Sequence, residues 1–303
     1  MEKEKLVTNI SEYVQAVCEL KDAIEKESLL HQKELLFRGQ SDKEYPILPS
    51  IGRNRKFDCQ RTIFNEERNL IEMAKYKMPD IFNRDMTPVE LLALLQHHGI
   101  PTRLLDVTEN ALVALFFACF NLIDSEKDGE VIVFNRENND VTNYPIINAI
   151  ADSYRFSRGT WRPLSSFYAD VKRQPYFLEQ QYTISTAIQD DKAGGEWISR
   201  CCNELLYIYA PIRSIRQQVQ HGRYILFPNH IGDDVYDEEH FSWKIDEIPK
   251  EHEDIIMRII IPSEKKKKML TDLEILGITE SFLFCDNIDK VCEGIVAVSK
   301  RRI

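Results

Sequence analysis

The chain has 303 residues, with 39 Lys and Arg against 49 Asp and Glu, which gives a formal net charge of −10 at pH 7. Hydrophobic residues make up 43% and charged residues 29% of the sequence, so a disordered or collagen-like chain is excluded. An acidic surface repels phosphate backbones, and we therefore expect no extended, charge-driven binding of nucleic acids. A small basic pocket for an anion remains compatible with this charge.

The sequence contains no segment that suits a membrane span. The longest apolar run covers residues 111–120, whereas a spanning helix needs about 20 residues. The amino terminus leads into a polar helix rather than a signal core. Seven cysteines at irregular spacings indicate reduced thiols. We therefore expect a cytoplasmic protein that makes no membrane contact.

Hydrophobic periodicity predicts the main elements in chain order. Helices are predicted over residues 11–30, 57–78, 88–98, 111–120, 213–219 and 263–276, and from residue 286 onward. Strands are predicted over residues 34–37, 130–134, 205–209, 224–227 and 255–261, with short extended segments at 101–106 and 281–284. Residues 229–252 are polar and acidic and predict a surface loop.

The helix over residues 88–98 has the clearest boundaries. Thr87 and Glu90 have the spacing of a capping box, and Gly99 is positioned to end the helix. For the apolar helix that follows, Asp106 is the expected N-cap, with Thr108 as the alternative.

Helices dominate the first 125 residues and strands recur after them, which predicts an α+β fold. We expect a helical N-terminal half packed on a mixed, mostly antiparallel β-sheet. One domain fits this pattern as well as two. In the first arrangement, residues 1–33 form an N-terminal helix and residues 34–303 form the α+β domain, with residues 136–200 as an insertion or subdomain.

The first candidate site lies at the end of the predicted strand over residues 34–37. Arg38, Gly39 and Gln40 follow that strand directly. A guanidinium binds phosphate or carboxylate with two hydrogen bonds, and a glycine lets a ligand approach the backbone. The alternative is an arginine that pairs with a core carboxylate at a tight turn.

The second candidate site is a dense polar segment between two apolar helices. Its side chains are Gln96, His97, His98, Thr102, Arg103 and Asp106. A loop that ends a helix needs only its glycine and proline, so this set predicts a ligand-binding pocket. Each residue alone has a structural explanation, such as a cap or a salt bridge.

A third cluster brings Arg216, Gln220 and His221 to the start of a strand beside a glycine. Two weaker candidates are the hydroxyl pair at residues 185–186 and Glu280, which could act as a general acid or base or bind a ribose. The sequence has no HExxH motif and no pair of CxxC motifs, so no metal site is predicted.

The first two clusters together resemble the FRG domain family of bacterial proteins. Residues 37–39 match the naming motif, and residues 95–108 with 114–118 resemble the second block of the family. Residues 220–227 and 277–284 resemble its downstream features, although Val107 and Cys285 depart from the usual pattern. The resemblance implies a bacterial protein, often encoded in phage-defence neighbourhoods.

Two hypotheses follow for the activity. The Arg-Gly strand end is similar to the first motif of ADP-ribosyltransferases, which implies an enzyme with NAD as substrate. On that hypothesis Arg38 binds phosphate, His97 or His98 positions the ligand, and Glu280 stabilises the ribose. The alternative is a sensor module that binds a nucleotide or another anionic ligand without turnover and offers residues 136–200 to a protein partner.

Overall fold

The computed structural model describes residues 3–27, 33–53, 63–82, 85–121, 126–137, 145–156, 164–178, 190–211, 214–228, 236–237, 242–243 and 245–285. Its strands are β1 (Glu4–Leu6), β2 (Lys33–Gln40), β3 (Leu104–Thr108), β4 (Gly129–Glu137), β5 (Leu206–Ile208), β6 (Gly222–Leu226), β7 (Tyr236–Asp237), β8 (Ser242–Trp243) and β9 (Ile255–Ile261).

The helices are distributed over most of the described chain. They are α1 (Ile10–Glu27), α2 (Glu67–Lys77), α3 (Pro88–His97), α4 (Ala111–Cys119), α5 (Pro145–Ala151), α6 (Leu164–Val171), α7 (Pro175–Leu178), α8 (Asp191–Cys202), α9 (Ile215–Val219), α10 (Ser263–Ile275) and α11 (Glu280–Leu283).

Seven strands form one mixed sheet in the order β1-β9-β4-β2-β3-β6-β5. Among the described strands, the pairing of β1 with β9 is parallel, and the other pairings in this sheet are antiparallel. The prediction of an α+β fold on a mostly antiparallel sheet is therefore confirmed. Helices α5 to α8 begin after residue 125, so helices are not confined to the N-terminal part of the described chain.

Two groups of helices cover one face of the sheet. Helices α1, α4 and α10 pack on β2, β4 and β9, while α2, α3 and α5 to α8 pack on β3, β5 and β6. Alternating strand residues such as Leu36, Leu105 and Ile132 point to the opposite face, where Ile47 and Ile248 cover them. The boundary between the two helical groups falls at β2 and β3.

The central strands β2 and β3 separate after a single paired position. Eight residues of β2 pair with β4, but only Phe37 pairs with β3, opposite Thr108. Helix α4 sits close over β2, because Gly39 has no side chain: a Cβ there would lie 2.7 Å from the Ala118 amide nitrogen and overlap the Ala114 carbonyl oxygen.

Several sequence predictions hold at residue level. The strand over residues 255–261 has the predicted bounds, and the capping box of Thr87 with Glu90 is present at the start of α3. Gly99 follows α3 with a φ of 80°, the left-handed conformation that glycine favours at a helix end.

Other predictions are wrong, mainly at helix starts and short extended segments. Asp106 and Thr108 belong to β3, and Asn110 caps α4 by accepting from the amides of Leu112 and Val113. The segment predicted as extended at residues 281–284 is mostly the helical turn α11, capped by Thr279. The predicted surface loop contains the two short strands β7 and β8.

Helix α2 begins at Glu67, after a 3-10 turn over Ile63–Glu66. The first six residues of the helix predicted over residues 57–78, the last helix from residue 286 and the hydroxyl pair at residues 185–186 lie outside the described residues.

Candidate functional site

A cavity of about 310 Å³ lies where β2 and β3 separate and the two helical groups meet. Strands β2, β3 and β6 supply part of its wall, α3, α4 and α9 supply most of the rest, and Arg53 comes from the segment after the 3-10 turn Ser50–Gly52. Seven of the predicted site residues line it, together with Arg53 and Tyr224. The predicted lining residues are Arg38, Gly39, Gln96, His97, Asp106, Arg216 and Gln220.

Arg38 occupies the gap between the two strands. Its Nη1 donates to the Asp106 carbonyl oxygen at 2.6 Å, at a level where β2 and β3 no longer pair. Its Nε donates to Gln40 Oε1 at 3.2 Å. Among the described residues Nη2 has no hydrogen-bond partner and no carboxylate forms a salt bridge with Arg38. The guanidinium is therefore held in place while it keeps donors for a ligand.

The environment of Arg38 is costly for a cation. Burial and the neighbouring Arg53 lower the pKa of the Arg38 guanidinium to about 10, and this lowering is partly offset by Asp106 and Glu130. The side chain stays charged at neutral pH. Desolvation without a paired carboxylate is a cost that a bound anion would offset.

Two further arginines line the cavity. Arg53, in the segment after the 3-10 turn Ser50–Gly52, donates from Nε to the Leu48 carbonyl oxygen at 3.3 Å. Arg216, on α9, lies 4.7 Å from the ring centroid of Phe284. Within the described residues, Arg216 has no acidic partner in a salt bridge. Three guanidinium groups thus face one cavity, in which Asp106 is the one carboxylate among the described lining residues.

A chain of hydrogen bonds fixes the Asp106 carboxylate. The Leu104 amide donates to Thr102 Oγ1 at 3.2 Å, and Thr102 Oγ1 donates to Gln96 Oε1, 2.5 Å away. Gln96 Nε2 in turn donates to Asp106 Oδ1 at 2.7 Å. Thr102 is buried, and it supports the cavity from behind Gln96 rather than lining it.

Hydrogen bonds from side chains to backbone carbonyl groups hold the wall formed by α9 and β6. Gln220 Nε2 donates to the Leu283 carbonyl oxygen of α11 at 2.9 Å, and Gln217 Nε2 donates to the Ala210 carbonyl oxygen at 3.1 Å. Thr108 Oγ1 donates to the Gln220 carbonyl oxygen at 2.7 Å. These bonds tie the short helix α9 to the sheet and to α11.

Arg103 does not line the cavity, because its whole side chain is buried in the core on the side of α2 and α5. Its Nε donates to Glu67 Oε1 at 2.6 Å, and Nη1 donates to the Phe227 carbonyl oxygen at 2.8 Å. Its Nη2 donates to the carbonyl oxygens of Ile150 and Ala151. The alternative that the sequence left open, an arginine paired with a core carboxylate, therefore describes Arg103 and not Arg38.

Three more predicted residues lie beside the cavity without lining it. Gln40 is buried behind Arg38, where it donates to the Tyr45 carbonyl oxygen and to Glu130 and so presents its own oxygen to Arg38. His98 is exposed at the end of α3, with its ring edge-on to Phe82. His221 is exposed and has a φ of 47°, so its conformation serves the turn between α9 and β6.

Glu280 begins α11, the helical turn that contacts α9. It is partly buried, but it is not one of the residues that line the cavity. The structure therefore places His97 and Asp106 in the cavity with the arginines, and Glu280 on the element behind α9.

Two residues of the cavity carried little signal in the sequence. Arg53 lies in a segment that shows no periodicity, and Tyr224 was assigned only to a strand. Arginine close to glycine was the pattern that singled out Arg38 and Arg216. The same pattern occurs at Gly52 and Arg53, and it could have identified Arg53.

The described residues contain no group of three His, Cys, Asp or Glu placed to hold a metal ion. None of the described helices has the length and apolar character that crossing a membrane requires.

The fold and the cavity define an α+β protein whose mixed sheet carries an arginine-lined cavity between two separating central strands. Residues 33–127 match the family model of the FRG domain. The matched segment includes β2, α3, β3 and α4, which supply Arg38, Gln96, Asp106 and Phe117 to the cavity. No curated protein and no solved structure matches the chain.

Proposed function

We propose that the cavity binds a small phosphorylated ligand of the nucleotide class, with NAD as the first compound to test. The observation that carries this proposal is the convergence of Arg38, Arg53 and Arg216 on one cavity that contains a single carboxylate among its described lining residues. Guanidinium groups bind phosphate oxygens through paired, charge-assisted hydrogen bonds. The unused donors of Arg38 support the proposal further.

The size and the walls of the cavity support a ligand larger than a simple ion. A volume of about 310 Å³ is at the lower end of the range for small-molecule sites. Phe37, Phe117 and Tyr224 add aromatic surface to the polar wall. A flat ring beside a phosphate group, as in a nucleotide, matches both features.

We expect Arg38→Gln and Arg216→Gln each to weaken the binding of NAD at least about tenfold, because each removes a charge-assisted bond worth ~1.4 kcal/mol or more. Isothermal titration calorimetry on the full chain measures this loss. Arg173→Gln is the matched control, since it removes the same charge from an exposed position that does not line the cavity.

Equal affinity of all three variants for NAD would contradict the proposal, because the cavity arginines would then contribute no more than an exposed arginine. Weak binding that is lost equally in all three variants would indicate a general charge effect and would also contradict it.

A second candidate function is cleavage of NAD at the nicotinamide ribosyl bond, in the manner of a glycohydrolase or an ADP-ribosyltransferase. The presence of Asp106 and His97 in the cavity supports it. A carboxylate beside the ribose stabilises the positive charge that develops as nicotinamide leaves. In this version Asp106 takes the part that the sequence assigned to Glu280.

We therefore expect Asp106→Asn to abolish any release of nicotinamide, because the loss of a group in contact with the transition state costs far more than a factor of two in rate. We expect Glu280→Gln to leave the release within about twofold of the native rate. Mass analysis of NAD incubations with the native protein and both variants gives the comparison. Loss of release in Glu280→Gln alone would return the catalytic role to Glu280. Binding without release in the native protein would leave the sensor function as the answer.

A further inference from the structure

The position and bonding of Asp106 point to a specific part of the ligand. We infer that Asp106 recognises the vicinal hydroxyl groups of a ribose, so that the cavity selects ribonucleotides over their deoxygenated counterparts. This inference rests on the proposed function, because it assumes that the arginines hold the phosphate of the same ligand.

A carboxylate in this cavity is unsuited to the phosphate itself. Asp106 shares the cavity with Arg38, Arg53 and Arg216, so a phosphate bound by these arginines would be repelled by Asp106. Because Asp106 lowers the affinity of the cavity for an anion, we expect its carboxylate to bind a different group of the ligand. That group is a hydrogen-bond donor, since an ionised carboxylate only accepts.

The donor that fits is neutral rather than cationic. A cationic group on the ligand would meet the repulsion of three guanidinium groups in the same cavity. The hydroxyl groups of a sugar donate without carrying charge. Two adjacent hydroxyls also match the two oxygens of one carboxylate, as in dinucleotide sites where an acidic residue binds a ribose.

The hydrogen-bond chain behind Asp106 prepares it for this task. The Leu104 backbone amide donates to Thr102 Oγ1, and the Thr102 hydroxyl donates to Gln96 Oε1. Gln96 therefore presents its NH₂ group to Asp106 Oδ1. Oδ2 has no hydrogen-bond partner among the described residues. The carboxylate is thus oriented from behind, with an oxygen available for a ligand.

Asp106→Asn is expected to lower the affinity for a ribonucleotide without lowering the affinity for its dideoxy counterpart. Calorimetry with ADP and with 2′,3′-dideoxyadenosine diphosphate compares ligands that carry the same phosphates and differ in the two hydroxyls. In the native protein we expect ADP to bind about tenfold tighter or more than the dideoxy compound, because it makes one or two additional charge-assisted hydrogen bonds. In Asp106→Asn the affinity for ADP falls, while that for the dideoxy compound stays equal or rises because a repulsion is removed.

Thr102→Val tests the positioning role of the chain, and Thr102→Ser is its matched control. The valine removes the hydroxyl that orients Gln96, so the ratio of the two affinities should fall, whereas the serine keeps the hydroxyl and should keep the ratio. A purely structural effect would weaken both ligands together and leave the ratio unchanged, which would overturn the positioning role.

The outcomes separate the inference from the proposed function. Equal binding of the two compounds, with both affinities lost in Arg38→Gln, would overturn the ribose inference and leave the phosphate site standing. Absence of binding of either compound to the native protein would overturn the nucleotide site and the inference together. A fall in the affinity for ADP alone in Asp106→Asn would support both.

Discussion

Replacement of Arg103 by leucine is expected to destabilise the protein by about 3–5 kcal/mol, the cost of leaving one partner of a buried ion pair behind. Both side chains of the pair with Glu67 are buried, and the N–O distance is 2.6 Å. Arg103 also donates to three backbone carbonyl groups, which link α5 to the segment after β6. Chemical denaturation of the variant and the native protein measures the loss.

The effect of Arg103→Leu should depend on pH. Burial already raises the pKa of Glu67, while Arg103 opposes this rise. Without Arg103 the folded-state pKa rises further above the unfolded value. An acid with a raised folded-state pKa destabilises the fold as pH increases, because the unfolded chain releases the proton more easily. The deficit should therefore be smaller at pH 5 than at pH 8.

Two comparisons make the Arg103 prediction specific. Glu67→Leu combined with Arg103→Leu should recover part of the lost stability, because no unpaired charge then remains in the core. Lys21→Leu breaks the exposed pair with Glu25 and should have little effect. A deficit in Arg103→Leu no larger than that in Lys21→Leu would contradict the role of Arg103 in the core.

Replacement of Gly39 by alanine is expected to destabilise the protein by about 3 kcal/mol or more, at the upper end of the usual cost of overpacking a core. The new Cβ would overlap the Ala114 carbonyl oxygen and lie 2.7 Å from the Ala118 amide nitrogen. These are main-chain atoms of α4, so no change of rotamer relieves the contact. Helix α4 must move away from β2, and both elements line the cavity.

Gly52→Ala is the matched control for this prediction. Its nearest neighbour would be the Ile245 Cβ at 3.5 Å, an ordinary contact distance. We expect the stability of this variant to stay within about 0.5 kcal/mol of the native value, as for most substitutions away from special features. Thermal unfolding of the two variants side by side should show a lower midpoint only for Gly39→Ala. Equal midpoints would mean that α4 adjusts to the added methyl group.

The same glycine shows how a sequence pattern can be right for a different reason. The Arg-Gly pair at the end of a strand predicts a close approach to the backbone, and such an approach exists. The approaching element in the structure is helix α4, with its main chain against Gly39. Sequence reasoning identifies the need for a small residue, whereas the partner that requires it comes from the packing of distant segments.

Two arginines of the segment that matches the FRG model, Arg38 and Arg103, make the same distinction. Both belong to polar clusters that the sequence predicted as ligand-binding sites. In the structure Arg38 lines the cavity, whereas Arg103 is directed into the core toward Glu67. Residues 38, 103 and 67 are far apart in sequence, and no local pattern reports which carboxylate an arginine will meet.

What the sequence alone determined is the local part of the structure. The hydrophobic periods predicted most of the strands and the long helices other than α8, and the capping box and Gly99 predicted the bounds of α3, because these signals act within a few residues. The tertiary structure decided the rest: the separation of β2 from β3, the cavity between the two helical groups, and the choice of Arg53 and Arg216 as companions of Arg38. These features arise from contacts between segments that are distant along the chain. Their energies depend on burial and charge in the folded structure, which local sequence patterns do not report.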